Sequence, residues 1–166
     1  VQGCFGNGAP GSPVYGNLDT QGGVLDPGRA VSATACLPQP PGAKASKKIL
    51  WPGFDNSQMD RTHLLPRALG GSGSRRNIVP FGYQANQDTM TETEDQITEA
   101  LNYGRVFYQA YPVYGSLDST SDYQNIGNYE PQEIVIMWEP QGGPQSGLPQ
   151  LAVIPDSVGD QPPRSR

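Results

Sequence analysis

The sequence predicts an α+β domain made of short strands and one long helix, and three observations carry that prediction. Glycine and proline are abundant, 21 and 17 among 166 residues, and only 35% of the residues are hydrophobic, which suits a loop-rich chain and not a helical bundle. Several short runs alternate apolar and polar positions with period two. One stretch, from about Asn86 to Tyr103, changes to helical spacing. The length fits a single domain over residues 1–166, long enough to bury one core.

Residues 1–13 are rich in Gly, Pro, Asn and Ser without apolar periodicity, so they read as an N-terminal arm held mainly by Cys4. Asp26-Pro27-Gly28-Arg29 is a turn before Ala30 to Ala35, a strand of small residues. Residues 38–48 (PQPPGAKASKK) form a Pro-rich, basic connector expected to be exposed. Ile49 to Phe54 supplies core anchors before the turn at Asp55-Asn56-Ser57. Gln58 to Leu65 alternates as a strand delivering His63 near its end. Gly70 to Ser74 is a flexible turn, and Asn77 to Phe81 a second strand in which Pro80 marks an exit or an edge. In the helix, Met90, Ile97 and Leu101 share one face, acidic residues cluster early, and Gly104 stands where a C-terminal cap belongs. Arg105 to Tyr114, Glu133 to Trp138 and Leu151 to Ile154 follow as strands, with polar loop at 115–130 and a polar C-terminal tail at 156–166. A strand-turn-strand-helix unit thus occupies residues 58–103.

No apolar run approaches the ~20 residues that cross a bilayer. The chain begins at Val1 with no basic-then-apolar leader, which fits a processed secreted protein or a piece of a longer one. Cys4 and Cys36 are the only cysteines; the pair suggests a disulfide tying the arm to the body, two free thiols being the other reading. Two cysteines and one histidine are too few for a zinc cage.

Net charge is −5, yet from Lys44 to Arg76 seven basic residues stand against two acidic ones. A local positive patch around His63 can attract phosphate while the acidic remainder keeps the molecule soluble. An ordinary uneven surface fits the same charges.

The chemistry converges on Asp60-Arg61-Thr62-His63, the turn at Leu69-Gly70-Gly71, Arg76-Asn77-Ile78-Val79, Ala85-Asn86 and Glu94. Phosphodiester hydrolysis needs a base for water, a cation against transition-state charge and a proton for the leaving oxygen. His63 is the chain's only histidine, the side chain whose unperturbed pKa near 6.5 suits a base around neutrality. Mg²⁺ prefers oxygen ligands and keeps most of its waters, so one Asn can be its main protein contact. Asn86 qualifies, although an Asn at a helix start is also a common cap. Glu94, two turns further, can reach an ion or its water shell, or be an exposed helical carboxylate. The Gly70–Ser74 turn lacks the Lys-Ser/Thr of a phosphate loop and the spacing of a serine-hydrolase elbow, though its backbone N–H groups can face a phosphate. No stripe of aromatics suggests base stacking, so contacts to the sugar-phosphate backbone and little sequence preference are expected.

These residues resemble the ββα-metal (His-Me finger) non-specific DNA/RNA endonucleases, whose motif reads D-R-G-H. Tyr15-Gly16-Asn17-Leu18-Asp19, Gly28-Arg29 and Pro112-Val113-Tyr114 further resemble the branch found in secreted bacterial nucleases and toxin tips. The resemblance spans roughly residues 14–154 and implies a ββα-metal core packed on an antiparallel sheet. It implies His63 as general base, Asn86 as ligand of Mg²⁺ (Mn²⁺ or another divalent cation being an alternative), and Glu94 as a carboxylate holding the ion's water. Asn77 would support the site by hydrogen bonding, Arg61 would contact the phosphate or hold the site together, and Asp60 would brace the strand. Arg67, Arg75 and Arg76 would bind substrate. A water on the metal would protonate the leaving oxygen, giving 5′-phosphate and 3′-hydroxyl ends.

Two positions depart from the pattern. Thr62 replaces the usual glycine, placing a β-branched side chain next to the histidine. Thr98 stands where some relatives carry arginine, so that cation would be missing or come from Arg67, Arg75, Arg76 or Arg105. The expected protein is a secreted monomer acting on DNA and RNA, as a scavenging enzyme or as a toxin domain with an immunity protein. A non-catalytic nucleic-acid-binding module on the same scaffold is the rival from another class.

Overall fold

In the computed structural model, which describes Cys4 and residues 12–20, 26–115 and 126–157, the chain folds as two layers. The larger is a five-stranded antiparallel sheet: β1 (Val14–Tyr15), β2 (Ala33–Leu37), β5 (Val106–Val113), β6 (Glu133–Pro140) and β7 (Gln150–Pro155), in that spatial order. The smaller is the two-stranded ribbon of β3 (Met59–His63) and β4 (Ile78–Gly82) with the single long helix. That helix opens with a π-turn (Ala85–Thr89), continues as α1 (Met90–Ala100) and closes with a 3₁₀ turn (Leu101–Tyr103). The α+β class and the strand-turn-strand-helix order follow the sequence, and strand boundaries differ from it by at most three residues.

Alternation explains the packing. Along β5 the side chains of Val106, Tyr108 and Ala110 are buried, and β6 adds Ile134, Ile136 and Trp138 on the same face. Against this face pack Leu64, Leu65 and Leu69 from the segment after β3, Val79 and Phe81 from β4, and Met90 and Ile97 from α1. The hydroxyl of Tyr108 donates to the carbonyl of Leu64, tying the sheet to the residue that follows His63. Pro80 sits within β4 opposite Arg61, neither an exit nor a break. The ribbon has only two strands, so the side of Pro80 away from β3 needs no ladder donor.

Four expectations change. Ile49 and Trp51 do not enter the main core but form a second cluster with Ile78 and Tyr129, while Leu50 is exposed. The start of the polar tail is structural: Asp156 Oδ1 accepts from Gly82 N at 2.8 Å and Ser157 Oγ from Ala85 N at 2.9 Å. These side chains satisfy donors at the entrance of the helix, which has no cap of its own. Connector residues 38–48 expose most of their side chains as expected, but their backbone from Gly42 to Ser46 is bonded to Arg67, Gly71 and Gly73. The Gly70–Gly73 loop is accordingly a fixed element and no flexible turn. The arm, the 115–130 loop and the tail fall mostly outside the described residues. Cys4 and Cys36 form a disulfide, with Cα atoms 5.4 Å apart.

Candidate active site

His63 ends β3, where strand alternation puts Met59, Arg61 and His63 on one face and Asp60 and Thr62 on the other. Its Nε2 lies 2.8 Å from the carbonyl oxygen of Ala43. A carbonyl only accepts, so Nε2 carries the proton and the neutral ring keeps its lone pair on Nδ1. Burial pushes the His63 pKa below the ordinary imidazole value; the Ala43 bond opposes that shift, and the nearby positive charge of Arg67 adds to it. The ring is therefore neutral at neutral pH, with one nitrogen anchored and the other available as a base.

Ala43 belongs to a backbone strap, Gly42 to Ile49, that lies along the Gly70–Gly73 loop. Its rungs are Gly42 N to Arg67 O at 2.8 Å, Ala43 N to Gly71 O at 3.1 Å and Ser46 N to Gly73 O at 3.1 Å. Glycines are required here because two backbones meet: a Cβ on Gly42 would stand 1.9 Å from the carbonyl oxygen of Gly71. Arg61 holds the other end of the strap. Its Nε donates to Ile49 O at 2.7 Å and Nη2 to Lys47 O at 3.3 Å, with the guanidinium 4.8 Å from the Phe54 ring centre. Of the two roles open to it from the sequence, this geometry fits holding the site together.

Asn77 is fully buried and saturated. Its Oδ1 accepts from Leu65 N at 2.9 Å, and its Nδ2 donates to Leu65 O at 3.0 Å and Ser72 O at 2.8 Å. It staples the loop leaving His63 to the start of β4 and offers no atom to solvent. The N–H of Ser72 is taken by the Tyr15 hydroxyl and that of Ser74 by Ser72 Oγ. With Gly70 and Gly71 N–H also bonded internally, four of the five N–H groups of this loop are already taken.

Asn86 lies within the π-turn and caps nothing, which corrects the helix-cap alternative. Its Nδ2 donates to Asp60 Oδ2 at 3.1 Å, and Gln87 Nε2 reaches the same oxygen at 3.4 Å. A carboxylate accepts only, so the amide nitrogen faces Asp60 and Asn86 Oδ1 points away from it. In an unbroken α-helix Glu94 would be offset from Asn86 by about 80°. A π-turn advances less per residue, so it brings the two side chains closer to one line. Glu94 is half-buried, has no hydrogen-bond partner among the described residues, and burial, then the charge of Asp95, push its pKa up. No cluster of three or more His, Cys, Asp or Glu exists among the described residues. One amide oxygen and one unpartnered carboxylate on a helix line fit a hard cation that keeps most of its waters. They do not fit a tetrahedral zinc cage.

The arginines divide. Arg67 and Arg76 are exposed with no partner among the described residues, and Arg105 is likewise free. Arg75 is not available as expected: its Nη2 donates to Leu50 O at 3.1 Å and its guanidinium lies 5.5 Å from the Trp51 ring centre. Thr62 is completely buried on the face opposite His63, so its departure from glycine does not narrow the approach to the imidazole. Asp19, Arg29 and Tyr114 form a remote brace, with a 2.8 Å ion pair and the guanidinium 4.1 Å from the Tyr114 ring centre. Sequence reasoning missed the Ala43 carbonyl, the Asp60 partner of Asn86 and the Asp156–Ser157 clasp. Only the last two use side chains, and neither lies at a spacing that marks a motif.

A family model described as DNA/RNA non-specific endonuclease matches residues 11–128. No curated protein matches. Among solved structures, NucA from Streptococcus agalactiae with no metal bound superposes with a TM-score of 0.62 at 17% identity, covering 93% of this chain and 74% of that one. Sda1 nuclease with bound zinc ion gives 0.60 at 14% identity, covering 89% and 75%. A protein described as an extracellular endonuclease gives 0.50 at 14%, covering 87% and 81%. At these identities the likeness carries the fold.

Proposed function

Since the chain belongs to the DNA/RNA non-specific endonuclease family, we propose that it hydrolyses phosphodiester bonds of DNA and RNA with His63 as general base and a divalent cation, Mg²⁺ first, on Asn86. The observation that carries this reading is the His63 ring, anchored through Nε2 on Ala43 and kept neutral by burial, with Nδ1 free to take a proton from water. Asp60 accepts from the Asn86 amide nitrogen, so the amide oxygen would be the atom to hold the ion, and Glu94 would accept hydrogen bonds from its waters. When bound, the cation supplies positive charge to the phosphate as negative charge builds on it. Arg67 and Arg76 add cations at the rim. Attack by water with loss of the 3′ oxygen leaves 5′-phosphate and 3′-hydroxyl ends. NucA was also solved with magnesium ion bound, which supports the choice of metal. The disulfide and the extracellular endonuclease relative support a secreted location.

The test is degradation of supercoiled plasmid and of single-stranded RNA with Mg²⁺ or EDTA. Both substrates are expected to be cleaved with Mg²⁺ and spared with EDTA. If both stay intact across Mg²⁺, Mn²⁺ and Ca²⁺, the catalytic reading fails and a binding module takes its place.

A further inference from the structure

We propose that the strap from Gly42 to Ile49 is a rail for the nucleic-acid backbone, on which Lys44, Lys47 and Lys48 hold the phosphates flanking the one that is cleaved. This rests on the nuclease reading and adds to it a binding surface separate from the base and the metal ligand.

The strap's backbone and side chains face different ways. The bonds that fix it are made to its main chain: one rung to Arg67 O and two to the glycine loop, the His63 bond to Ala43 O, and the Arg61 bonds to Lys47 O and Ile49 O. Ala45 and Ile49 turn inward onto the cluster of Trp51, Ile78 and Tyr129. Lys44, Lys47 and Lys48 are exposed, and among the described residues none of their ammonium groups has a hydrogen-bond or ion-pair partner. Among the described residues no acidic side chain is set against these three. Unpaired like charges crowded on a rigid strip repel one another, a cost that a polyanion would relieve.

The rail has a fixed register to the chemistry. Lys44 follows directly the residue whose carbonyl anchors the base, and the whole strap spans at most about 25 Å, enough for several phosphates at 3.4 Å per nucleotide of one strand. Arg67 stands at the strap's first rung through its carbonyl, so its free guanidinium extends the same positive track towards His63. Lysines are point charges without the planar fork that reads bases, so the rail adds affinity without sequence preference.

The experiment compares wild type with the triple variant Lys44→Gln/Lys47→Gln/Lys48→Gln, and with the triple Lys→Arg variant as the charge-preserving control. Affinity for a fluorescein-labelled 20-base-pair duplex is measured in EDTA from 50 to 200 mM salt, alongside KM and kcat for its cleavage with Mg²⁺. Three lost phosphate contacts should reduce the slope of log affinity against log salt by about 2.7 in the Gln variant. KM should rise at least tenfold while kcat changes less, and the Arg variant should restore both the slope and KM. A slope change below 1, or failure of the Arg variant to restore it, overturns the rail while leaving the nuclease intact. Wild type that cleaves neither plasmid nor RNA overturns the nuclease reading itself, and the rail with it.

Discussion

The imidazole of His63 donates from Nε2 to the carbonyl oxygen of Ala43 across 2.8 Å, so the base we propose is positioned by a residue 20 places earlier in the chain. The bond fixes which nitrogen is protonated and joins β3 to the lysine-bearing strap. Several consequences can be measured.

The pH dependence follows from burial of His63. In the proposed mechanism its neutral form is the active one, and burial with the Arg67 charge holds its pKa below the ordinary value near 6.5. The acid limb of kcat/KM should therefore level off below that value, with full activity at pH 7. Arg67→Gln removes one depressing charge and should move the limb to higher pH. A wild-type limb above 6.5 contradicts the assignment. The unfolded chain binds this proton more tightly than the folded one, so stability should fall as pH drops through about 6.5.

Asn77→Ala should cost on the order of 3 kcal/mol of stability, because it strands the buried N–H and C=O of Leu65 and the carbonyl of Ser72. Denaturant unfolding checks this. A loss below about 0.5 kcal/mol would mean that the loop after His63 is held by something else.

Thr62→Gly restores the glycine of the family motif and should bring no gain in turnover, since Thr62 is buried away from the imidazole. It should destabilise by about 1–3 kcal/mol through lost packing and added chain freedom. A clear rise in kcat would show that the methyl or hydroxyl hinders the substrate after all.

Much of this fold can be read from the chain. The period-two alternation of Val106 to Val113 and the helical spacing of Met90 and Ile97 are side-chain patterns, and both elements form where they predict. The strap is invisible in the same way of reading, because its rungs join backbone to backbone and any sequence small enough at Gly42 and Gly73 could make them. The π-turn that draws Asn86 towards the line of Glu94 leaves no mark in apolar spacing either. Arg75 was legible as a cation but not as one spent on the Leu50 carbonyl and Trp51, since that depends on a chain path and not on composition.

Reduction of the Cys4–Cys36 disulfide, which closes 32 residues of sequence separation, should lower stability by about 3–4 kcal/mol on the chain-entropy model. Thermal melts with and without reductant report it. An unchanged melting temperature would mean that the arm contributes nothing to the folded state.

The division of labour between His63 and Asn86 is tested most directly by following Mg²⁺-induced thermal stabilisation and plasmid cleavage together in wild type, His63→Ala and Asn86→Ala. The account predicts that His63→Ala loses cleavage but keeps the Mg²⁺ shift, and that Asn86→Ala loses both. Cleavage surviving in His63→Ala, or an undiminished Mg²⁺ shift in Asn86→Ala, would contradict it.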